Sequence, residues 1–381
     1  MSVPSTVRAR RALPPPLRAA LVVGMLYSFL VGVSLLETGI SGLGAGFQDG
    51  LVREIANPIS GLFAGILLTV LVQSSSVSTA TIVGLVGAGT LDVSLAVPMI
   101  MGANIGTTVT NTLASLGSIR RRDEFQRALT AATMHDFFNL LAVAVLLPLE
   151  LMTGLLTRVA LVLTRLLRGS DVALVPGPSR LRSAVKAPVS LLRDLVAGLG
   201  LPGRPGALIL LVFGLVLIFL ALWLITRNMR QLVRGSVERA MNHIIGRGGG
   251  AVGIVIGLLV TVAVQSSSIT TSILVPLVAA GLLTARSAYP ITLGANVGTT
   301  VTALIASLAV SEPAGLTIAL VHFLFNVTAL AIVFPVRRVR EVPVRLAERF
   351  ARIAVRHPTI VGGYLLGLFV IIPLVGIFLI P

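Results

Sequence analysis

A short polar stretch, Gln73-Ser74-Ser75-Ser76, interrupts a long apolar region of this chain and recurs in its second half as Gln265-Ser266-Ser267-Ser268. At the same distance after each copy lies a longer motif, which reads Gly-Ala-Asn-Ile-Gly-Thr-Thr-Val-Thr at 102–110 and Gly-Ala-Asn-Val-Gly-Thr-Thr-Val-Thr at 294–302. The longer motif is identical at eight of its nine positions. Two matches at one common offset are not a coincidence, and we interpret them as an internal repeat.

The composition around these motifs is that of a membrane protein. Of 381 residues, 55% are hydrophobic and 12% are charged, and the mean hydropathy is +0.99. Charged residues make up about 25% of an ordinary soluble domain, so the composition excludes a water-soluble globule. The first apolar stretch, 19–36, is too long for a cleavable secretory signal and lacks a small-residue cleavage site. We therefore predict an all-α polytopic membrane protein of the cell (plasma or inner) membrane.

Uninterrupted apolar runs indicate the simple spans. A bilayer core of about 30 Å needs roughly 20 helical residues, and the runs of about that length are 19–36, 128–150, 206–226, 316–336 and 359–380. The two regions that carry the repeated motifs, 57–116 and 249–310, are apolar but interrupted. Broken backbone is tolerated in a membrane only where it is buried in protein or lines a wet cavity. In each region we expect a re-entrant helical hairpin followed by one broken transmembrane helix.

Arginine clusters predict the orientation, because basic residues of short loops stay on the cytoplasmic side. The clusters precede residue 19 and recur at 120–127, 227–247 and 337–356. All of them fall inside if the N-terminus is cytoplasmic and the C-terminus external. An odd number of crossings then separates the two repeats, which gives them inverted topology. Inverted repeats with discontinuous helices are the plan of many secondary transporters, whose binding sites lie at the repeat interface.

The predicted segments follow from this topology. Residues 1–56 hold the basic N-terminus, the first span and an external loop; 57–150 are repeat 1 and 249–336 are repeat 2, each with a re-entrant hairpin, a broken span and a span; 151–205 are an amphipathic surface linker; 206–248 hold a connecting span and a basic cytoplasmic loop; and 337–381 hold a basic cytoplasmic loop and the last span.

Charge and cysteine content exclude several other classes. The formal net charge of +16 does not indicate a nucleic-acid partner, because the arginines lie between apolar segments and not on one face of a soluble domain. The chain has no cysteine, which excludes disulfides, thiolate metal sites and a cysteine nucleophile. The expected surroundings are the lipid bilayer, and a homodimer is compatible with the sequence.

The serine-rich tips have the chemistry of an anion site. Where a half-helix starts at a hairpin tip, its free N–H groups and the positive end of its dipole attract an anion. Serine hydroxyls add donors that can rotate toward tetrahedral oxygens. Small and hydroxyl side chains also serve helix packing in membranes, but the duplication of both motifs favours binding. Two such tips meeting from opposite sides would enclose a small oxyanion.

The longer motif offers groups for a cation. Its glycines permit a local unwinding, and the polar side chains that it presents are Asn104, Thr107 and Thr108 with their partners Asn296, Thr299 and Thr300. Hydroxyl, amide and backbone carbonyl oxygens suit a hard cation such as Na⁺, as in broken-helix transporters. Neither motif contains a carboxylate, so the charge of the anion would balance the cations. Binding of the anion and binding of the cation would then depend on each other.

Other polar residues of the spans leave two interpretations open. His135 and His322 each precede an asparagine by one helical turn, which is as typical of a structural interhelical hydrogen bond as of a functional group. Asp136 has no partner in the second repeat; we slightly favour pairing with nearby arginines over a role in proton or sodium binding. Tyr364 is expected to be a packing or interface aromatic.

The motifs resemble those of the type II sodium/phosphate cotransporter family. The resemblance runs from about residue 58 to the C-terminus and is strongest at 73–112, 135–139, 265–300 and 322–326. Paired Gln-Ser-Ser-Ser motifs in inverted repeats are highly specific to that family.

The resemblance implies sodium-coupled symport of inorganic phosphate into the cell by alternating access, with Na⁺ as the coupling ion. It also implies that the serines of both motifs bind phosphate and that neighbouring oxygens bind sodium. Together with the two motif asparagines, the predicted phosphate ligands are Ser74, Ser75, Ser76, Asn104, Ser266, Ser267, Ser268 and Asn296. The predicted sodium ligands are Gln73, Ser78, Thr107, Thr108, Gln265, Thr270, Thr299 and Thr300.

Three alternatives differ from this interpretation. A sodium-coupled carrier of another small oxyanion or a carboxylate would need the same two polar tips. A passive anion channel would also share them. An intramembrane serine hydrolase using His135 or His322 as its base is the third, but a nucleophile needs one activated serine and one base. The symmetric duplication of the serines argues against an enzyme.

Overall fold

The computed structural model describes residues 15–44, 46–47, 50, 57–169, 180–245 and 250–379. The regular structure within these ranges is entirely helical, which confirms the all-α prediction. In chain order the helices are α1 (Pro15–Leu43), α2 (Pro58–Val72), α3 (Ser75–Gly87), α4 (Val93–Gly106), α5 (Val109–Ser115), α6 (Arg122–Thr153), α7 (Leu155–Gly169), α8 (Arg180–Gly198), α9 (Arg204–Ile245), α10 (Gly250–Val264), α11 (Ser267–Ala279), α12 (Ala285–Ser307), α13 (Pro313–Val333), α14 (Arg337–Arg356), α15 (Thr359–Leu366) and α16 (Ile372–Leu379). A 3₁₀ turn lies at Leu116–Ser118 and a π-helical turn at Gly367–Ile371. The predicted basic N-terminus and most of the predicted external loop before residue 57 fall outside the described residues.

Helices that can cross a bilayer agree with the predicted spans. Within the described ranges, six segments are long and apolar enough: Ala20–Leu43, Val93–Ser118, Arg122–Thr153, Arg204–Met229, Pro313–Val333 and Thr359–Phe378. The second interrupted region supplies α12, whose 23 residues are long enough to cross but include Arg286, Ser287 and Asn296. The polytopic prediction is therefore confirmed.

The two predicted hairpins are present as pairs of short apolar helices, α2 with α3 and α10 with α11. Each pair is joined at a glutamine in the left-handed region, Gln73 at φ 55° and Gln265 at φ 57°. The next residue is extended in both copies, with φ −152° at Ser74 and −155° at Ser266, and a new helix starts directly after it. A 15-residue helix is roughly 22 Å long, which is less than a bilayer core of about 30 Å. None of these four helices can cross alone.

Glycines let the first arm of each hairpin lie against the next long helix with backbone in contact with backbone. A Cβ atom at Gly65 would overlap the carbonyl oxygen of Met99, and one at Gly102 would overlap that of Leu62. The second repeat reproduces both contacts: Gly257 meets the carbonyl of Ile291, and Gly294 meets that of Ile254. Gly102 and Gly294 of the longer motif therefore serve close packing. The prediction that the motif glycines unwind the helix is wrong for the second repeat.

The longer motif interrupts only one of the two helices that carry it. In the first repeat, α4 ends at Gly106 and α5 begins at Val109, with a tight turn in which the Thr108 N–H donates to the carbonyl of Ile105 at 3.3 Å. In the second repeat, α12 runs unbroken from Ala285 to Ser307. The prediction of a broken helix in both repeats is thus wrong for the second. The second copy of the motif has glycines at the same positions, and its helical hydrogen bonds continue past them.

The repeats are interlocked, because the second arm of each hairpin packs on the other repeat. Helix α3 packs against α12 and α13, while α11 packs against α5 and α6. Outside this core, α1 packs along α9, again through glycines: a Cβ at Gly39 would come within 2.5 Å of the backbone nitrogen of Leu211. The second arms of both hairpins therefore lie between the two repeats.

Two segments outside the repeats are amphipathic. The linker forms α7 and α8, and α8 buries Val185 and Val189 while Leu195 is exposed. The segment 337–381 was predicted to begin with a basic loop. Its first part, 337–356, is instead the helix α14. Small apolar residues at helical spacing make this possible, because Ala347, Ala351 and Ala354 are buried and α14 packs along α6.

The glycine contacts predict a large difference between two alanine substitutions. G257A forces a Cβ into the Ile291 carbonyl, whereas a Cβ at Gly362 would meet nothing within 4 Å. Overpacking typically destabilises by about 1–3 kcal/mol, while Gly to Ala in an open helix position is neutral or stabilising by roughly 0.5–1 kcal/mol. We expect G257A to lower the melting temperature of the purified protein in detergent, followed by circular dichroism, and G362A to leave it unchanged or raised. Equal melting temperatures would contradict the close packing.

Candidate functional site

The turn of each hairpin is built by the residue that ends one helix and the residue that caps the next. Gln73 and Gln265 close α2 and α10 by donating their backbone N–H to the carbonyls of Thr69 and Thr261, at 2.8 and 2.7 Å. The Ser74 hydroxyl caps α3 by accepting from the N–H of Val77 at 3.3 Å. Ser266 occupies the same N-cap position of α11 without a side-chain capping bond. The starts of two half-helices are thus placed at the serine motifs.

The two turns contact each other. The Ser76 hydroxyl donates to the backbone carbonyl of Gln265 at 3.0 Å and lies 3.4 Å from the hydroxyl of Thr302. Ser76 is 3% exposed, so this contact is buried. The serine triplets that lie far apart in sequence are therefore neighbours, as an anion site formed by two tips requires.

A glutamine and a threonine join each turn to the longer motif of its own repeat. The Thr110 hydroxyl donates to Oε1 of Gln73 at 3.2 Å, and the Thr302 hydroxyl donates to Oε1 of Gln265 at 2.9 Å. The amide nitrogens of both glutamines donate to a carbonyl one turn back in the preceding helix. Sequence reasoning did not assign roles to Thr110 and Thr302. Their place in the duplicated motif was the signal that could have identified them.

The two halves differ in access. Gln73 is exposed, whereas Gln265 is 6% exposed. Among the serines, Ser75 and Ser267 are 7% and 2% exposed, while Ser74, Ser266 and Ser268 are half-buried. The turns thus form a polar region that is closed around Gln265 and open beside Gln73.

One serine hydroxyl is left without a partner inside this region. Ser267 Oγ is buried and makes no hydrogen bond to any described residue. Leaving a buried polar group unsatisfied costs about 1–3 kcal/mol. A ligand oxygen bound between the turns would remove that penalty, which makes Ser267 the clearest sign of a ligand in the structure.

The predicted sodium ligands share one hydrogen-bonding pattern. Each hydroxyl donates its proton to a backbone carbonyl of its own hairpin or helix, which leaves the oxygen lone pairs available to a cation. The donor and acceptor pairs are Ser78 with Ser74, Thr107 with Ala103, Thr108 with Ile105, Thr270 with Ser266, Thr299 with Ala295 and Thr300 with Val297. No group of three or more His, Cys, Asp or Glu side chains occurs in the described part of the chain. The predicted sodium ligands are thus all neutral oxygens.

The two motif asparagines are engaged by protein groups. Asn104 donates to the carbonyl of Ile100 in its own helix at 2.9 Å. Asn296 donates to Oδ1 of Asn139 at 2.9 Å, and its own Oδ1 lies 3.1 Å from Nε2 of His135. Asn104 and Asn296 were predicted to bind phosphate, but their side chains are hydrogen-bonded to other protein groups.

The histidines of the two repeats have different surroundings. His135 makes the interhelical contact to Asn296, which supports the structural interpretation for this residue. His322 is equally buried, and the Nδ1 atoms of both histidines have no partner within the described residues. The difference between the two side chains is the bond from His135 Nε2 to Asn296.

Asp136 pairs with no arginine within the described ranges, so the favoured arginine pair is not found there. Its Oδ2 accepts hydrogen bonds from Tyr364 at 2.8 Å and from Thr112 at 3.2 Å, and the carboxylate is fully buried. Tyr364, expected only to pack, is thus a hydrogen-bond donor that joins α15 to α6. The arginines are held at the ends of the spans, whereas Asp136 lies more than three helical turns inside α6, counted from its start at Arg122.

Asn111 is a polar contact that sequence reasoning missed. Its Oδ1 accepts from the hydroxyl of Thr271 at 2.9 Å and lies 3.4 Å from that of Ser272, so it joins α5 to the second hairpin. The repeat position of Asn111 in the second half is Ala303. Because the residue is not duplicated, the internal repeat carried no signal for it.

Comparison with known proteins agrees with the resemblance inferred from the motifs. The model of the Na⁺/Pi-cotransporter family matches residues 28–166 and 210–346, one segment in each half of the chain. The sodium-dependent phosphate transport protein 2A of Ovis aries is 33% identical over 96% of this chain and 68% of its own length. The rat protein 2A is 34% identical over 94% of this chain and 67% of its own length, and the human protein 2B is 31% identical over 94% and 64%.

No solved structure matches this chain significantly. The family match covers well over half of the sequence, and the relatives exceed 30% identity along nearly all of it. This chain is therefore a multi-pass membrane protein that belongs to the Na⁺/Pi-cotransporter family, a family of transporters and not of enzymes.

Proposed function

We propose that this protein carries inorganic phosphate into the cell together with Na⁺ by alternating access, and that it holds the anion between the two serine turns. The observation that carries the proposal is the buried contact between Ser76 and the Gln265 carbonyl, which makes one site of two distant motifs. The relatives are named as sodium-dependent phosphate transport proteins, which supports phosphate as the anion and Na⁺ as the coupling ion.

Inverted topology is supported by helix length and by charge. The four hairpin helices are too short to cross alone, so each pair would enter and leave the membrane on one side. Arginines at 120–122 and 337–340 lie at the ends of crossing helices, which favours a cytoplasmic position for both ends. With that orientation the first hairpin enters from outside and the second from inside. Their turns would then meet near the bilayer midplane, where transporters of this plan bind their substrates.

Anion binding would use backbone and side-chain donors together. Helices α3 and α11 each start at the serine motif, and their first N–H groups have no partner within the helix. Such N-termini favour negative charge. The side-chain donors that remain for phosphate are the hydroxyls of Ser74, Ser75, Ser266, Ser267 and Ser268, since Ser74 caps α3 as an acceptor while Ser76 gives its proton to the Gln265 carbonyl.

Sodium binding would use the oxygen atoms whose protons are already donated. These oxygens would come from the hairpins and from the motifs at 107–108 and 299–300, whose following residues Thr110 and Thr302 bond the turn glutamines. Because none of the proposed ligands is a carboxylate, their charge balance would come from the phosphate itself. Cation and anion would therefore bind cooperatively.

The difference between the two glutamines supports a site that opens to one side at a time. Gln73 is exposed and Gln265 is buried although both turns have the same backbone geometry. Alternation would exchange these environments as the hairpin-bearing core moves against α1 and α9. Membership of a transporter family contradicts the serine hydrolase alternative.

The proposal is tested by uptake into proteoliposomes that contain the purified protein. Radiolabelled phosphate should accumulate above the external concentration only when Na⁺ is higher outside. A passive channel would equilibrate phosphate without concentrating it. Competition by arsenate and sulfate then distinguishes phosphate from other oxyanions. Accumulation that is independent of sodium would refute the coupled mechanism.

Serine substitutions should weaken phosphate binding in both halves. S75A and S267A each remove a donor next to a buried anion, which costs about 1–3 kcal/mol and corresponds to roughly 5- to 150-fold weaker affinity. The control is S28A on α1, where the hydroxyl bonds only the carbonyl of Gly24 in its own helix. Phosphate affinity is measured by equilibrium dialysis with sodium present. Unchanged affinity in both variants would show that these serines only pack.

A pair of threonines on α12 separates sodium binding from helix packing. Thr299 and Thr292 are both buried, and both donate to a carbonyl one turn earlier, at 3.1 and 3.3 Å. T299V removes a proposed sodium ligand, whereas T292V removes a hydroxyl outside the site. We expect T299V to raise the sodium concentration needed for half-maximal uptake severalfold and T292V to leave it unchanged. An equal effect of the two would remove Thr299 from the sodium site.

A further inference from the structure

A second polar cavity lies at the arginine-rich end of the second repeat, where α10, α12 and α14 begin. Its volume is about 380 Å³, and its polar lining consists of Arg286, Ser287, Tyr289, Arg337, Arg340 and Glu341. We call it the arginine pocket. Tyr289 is thirteen positions before Thr302 on the same helix, which is roughly 20 Å along the axis. The arginine pocket is therefore separate from the serine turns.

The lining of the arginine pocket carries an excess of positive charge. Glu341 is the one acidic residue in the lining, and it pairs with Arg337 at 3.5 Å and with Arg345 at 2.9 Å. Arg286 pairs with Glu348, outside the lining, at 2.9 Å. Arg340 lies 5.0 Å from the centre of the Phe334 ring and forms no ion pair with the described residues. One guanidinium thus remains without a counter-ion.

Tyr289 is an independent sign of a ligand in the arginine pocket. Its side chain is 2% exposed, and its hydroxyl has no hydrogen-bond partner within the described residues. The ring is held in place edge-on against Phe138, with centroids 6.4 Å apart. The repeat position of Tyr289 in the first half is Val97, so this hydroxyl is not part of the duplicated site. A buried phenol without a partner is costly, and a ligand oxygen would satisfy it.

The backbone of the arginine pocket also favours an anion. Arg286 and Ser287 lie in the first turn of α12, and Arg337 is the first residue of α14. Helix N-termini present partial positive charge and unpaired N–H groups. The two helices have 23 and 20 residues, which is long enough for each to have a helix dipole. The dipoles therefore add to the charge of the arginines.

The shape of the donors identifies the ligand chemistry. Guanidinium groups match the paired oxygens of a phosphate, which makes arginine the preferred residue for phosphate recognition. A volume of about 380 Å³ falls at the low end of the roughly 300–1,000 Å³ typical of small-molecule sites. In addition, α14 is amphipathic and basic, and it exposes Val339, Val342 and Ile353, as a helix lying at a membrane surface does. Phosphate groups are concentrated at that surface as lipid headgroups.

We propose that the arginine pocket is a second phosphate-group site, distinct from the serine turns, in which Arg340 and Tyr289 bind the phosphate oxygens. The phosphate group belongs either to an anionic phospholipid or to free phosphate. Arg286 and Arg337 add positive charge, while Glu341 and Glu348 hold the surrounding arginines in position. The site does not depend on transport of phosphate by the serine turns.

The experiment uses the full-length protein purified in detergent, with R340Q and Y289F as test variants. R338Q is the matched control, because it removes the same charge from the same helix at an exposed position outside the pocket lining. In the lipid arm, native mass spectrometry measures retention of phosphatidic acid, with phosphatidylcholine as the reference lipid. In the free-phosphate arm, equilibrium dialysis measures binding of ³²P-phosphate in each variant and in S267A.

We expect binding of one probe to fall at least tenfold in R340Q and severalfold in Y289F, with R338Q equal to the unmodified protein. Loss in the lipid arm assigns the pocket to a phospholipid headgroup. Loss in the dialysis arm, of a component that S267A retains, assigns it to free phosphate. R340K is included in case R340Q does not fold, and it should bind more weakly than the parent because it lacks the guanidinium fork. Equal binding by R340Q, Y289F and R338Q in both arms would overturn the proposal.

Discussion

A helix that ends inside an apolar protein must place its unpaired backbone groups somewhere, and this requirement governs the centre of the molecule. At Gln73 and Gln265 two helices end where no water can satisfy them unless the site itself is wet. Each turn consists of a glutamine in the left-handed region followed by an extended serine. A threonine hydroxyl of the same repeat donates a hydrogen bond to the glutamine side chain. The proposed phosphate ligands of the transport site lie at these two points.

The same requirement explains the neutral chemistry of the site. Arginines and most carboxylates are kept at the ends of the spans, where water or headgroups solvate them, and the turns are lined by hydroxyls, amides and carbonyls. Such groups can serve an anion with their protons and a cation with their lone pairs. In such a site each ion would offset the charge that the other brings, so the proposed coupling between them would need no conformational relay.

The sequence predicted those parts of the structure that are duplicated or strongly apolar. The paired motifs led to both hairpin turns and to the serines that meet there, and the hydropathy led to the spans. Features present in one half alone had no such signal. The repeat position of Asn111 is Ala303, and Asp136 has no repeat partner, so the bond from Tyr364 to Asp136 could not be predicted from the motifs.

The continuity of α12 was missed because glycine is compatible both with a broken helix and with a close contact. Both copies of the motif make the close contact, at Gly102 and at Gly294, and only the first copy also breaks its helix. Helix α14 was missed because the stretch was interpreted from its many arginines as a basic loop, although small apolar residues lie at helical spacing between them.

The backbone contacts at Gly65, Gly102, Gly257 and Gly294 have a mechanical consequence. Two helices whose main chains touch have no intervening side chains that could change rotamer, so neither can slide along the other without a collision. The first arm of each hairpin and the long helix behind it must therefore translate as one rigid piece. Any displacement that alters which face of the membrane reaches the turns has to be taken up elsewhere, at surfaces lined by larger and softer residues.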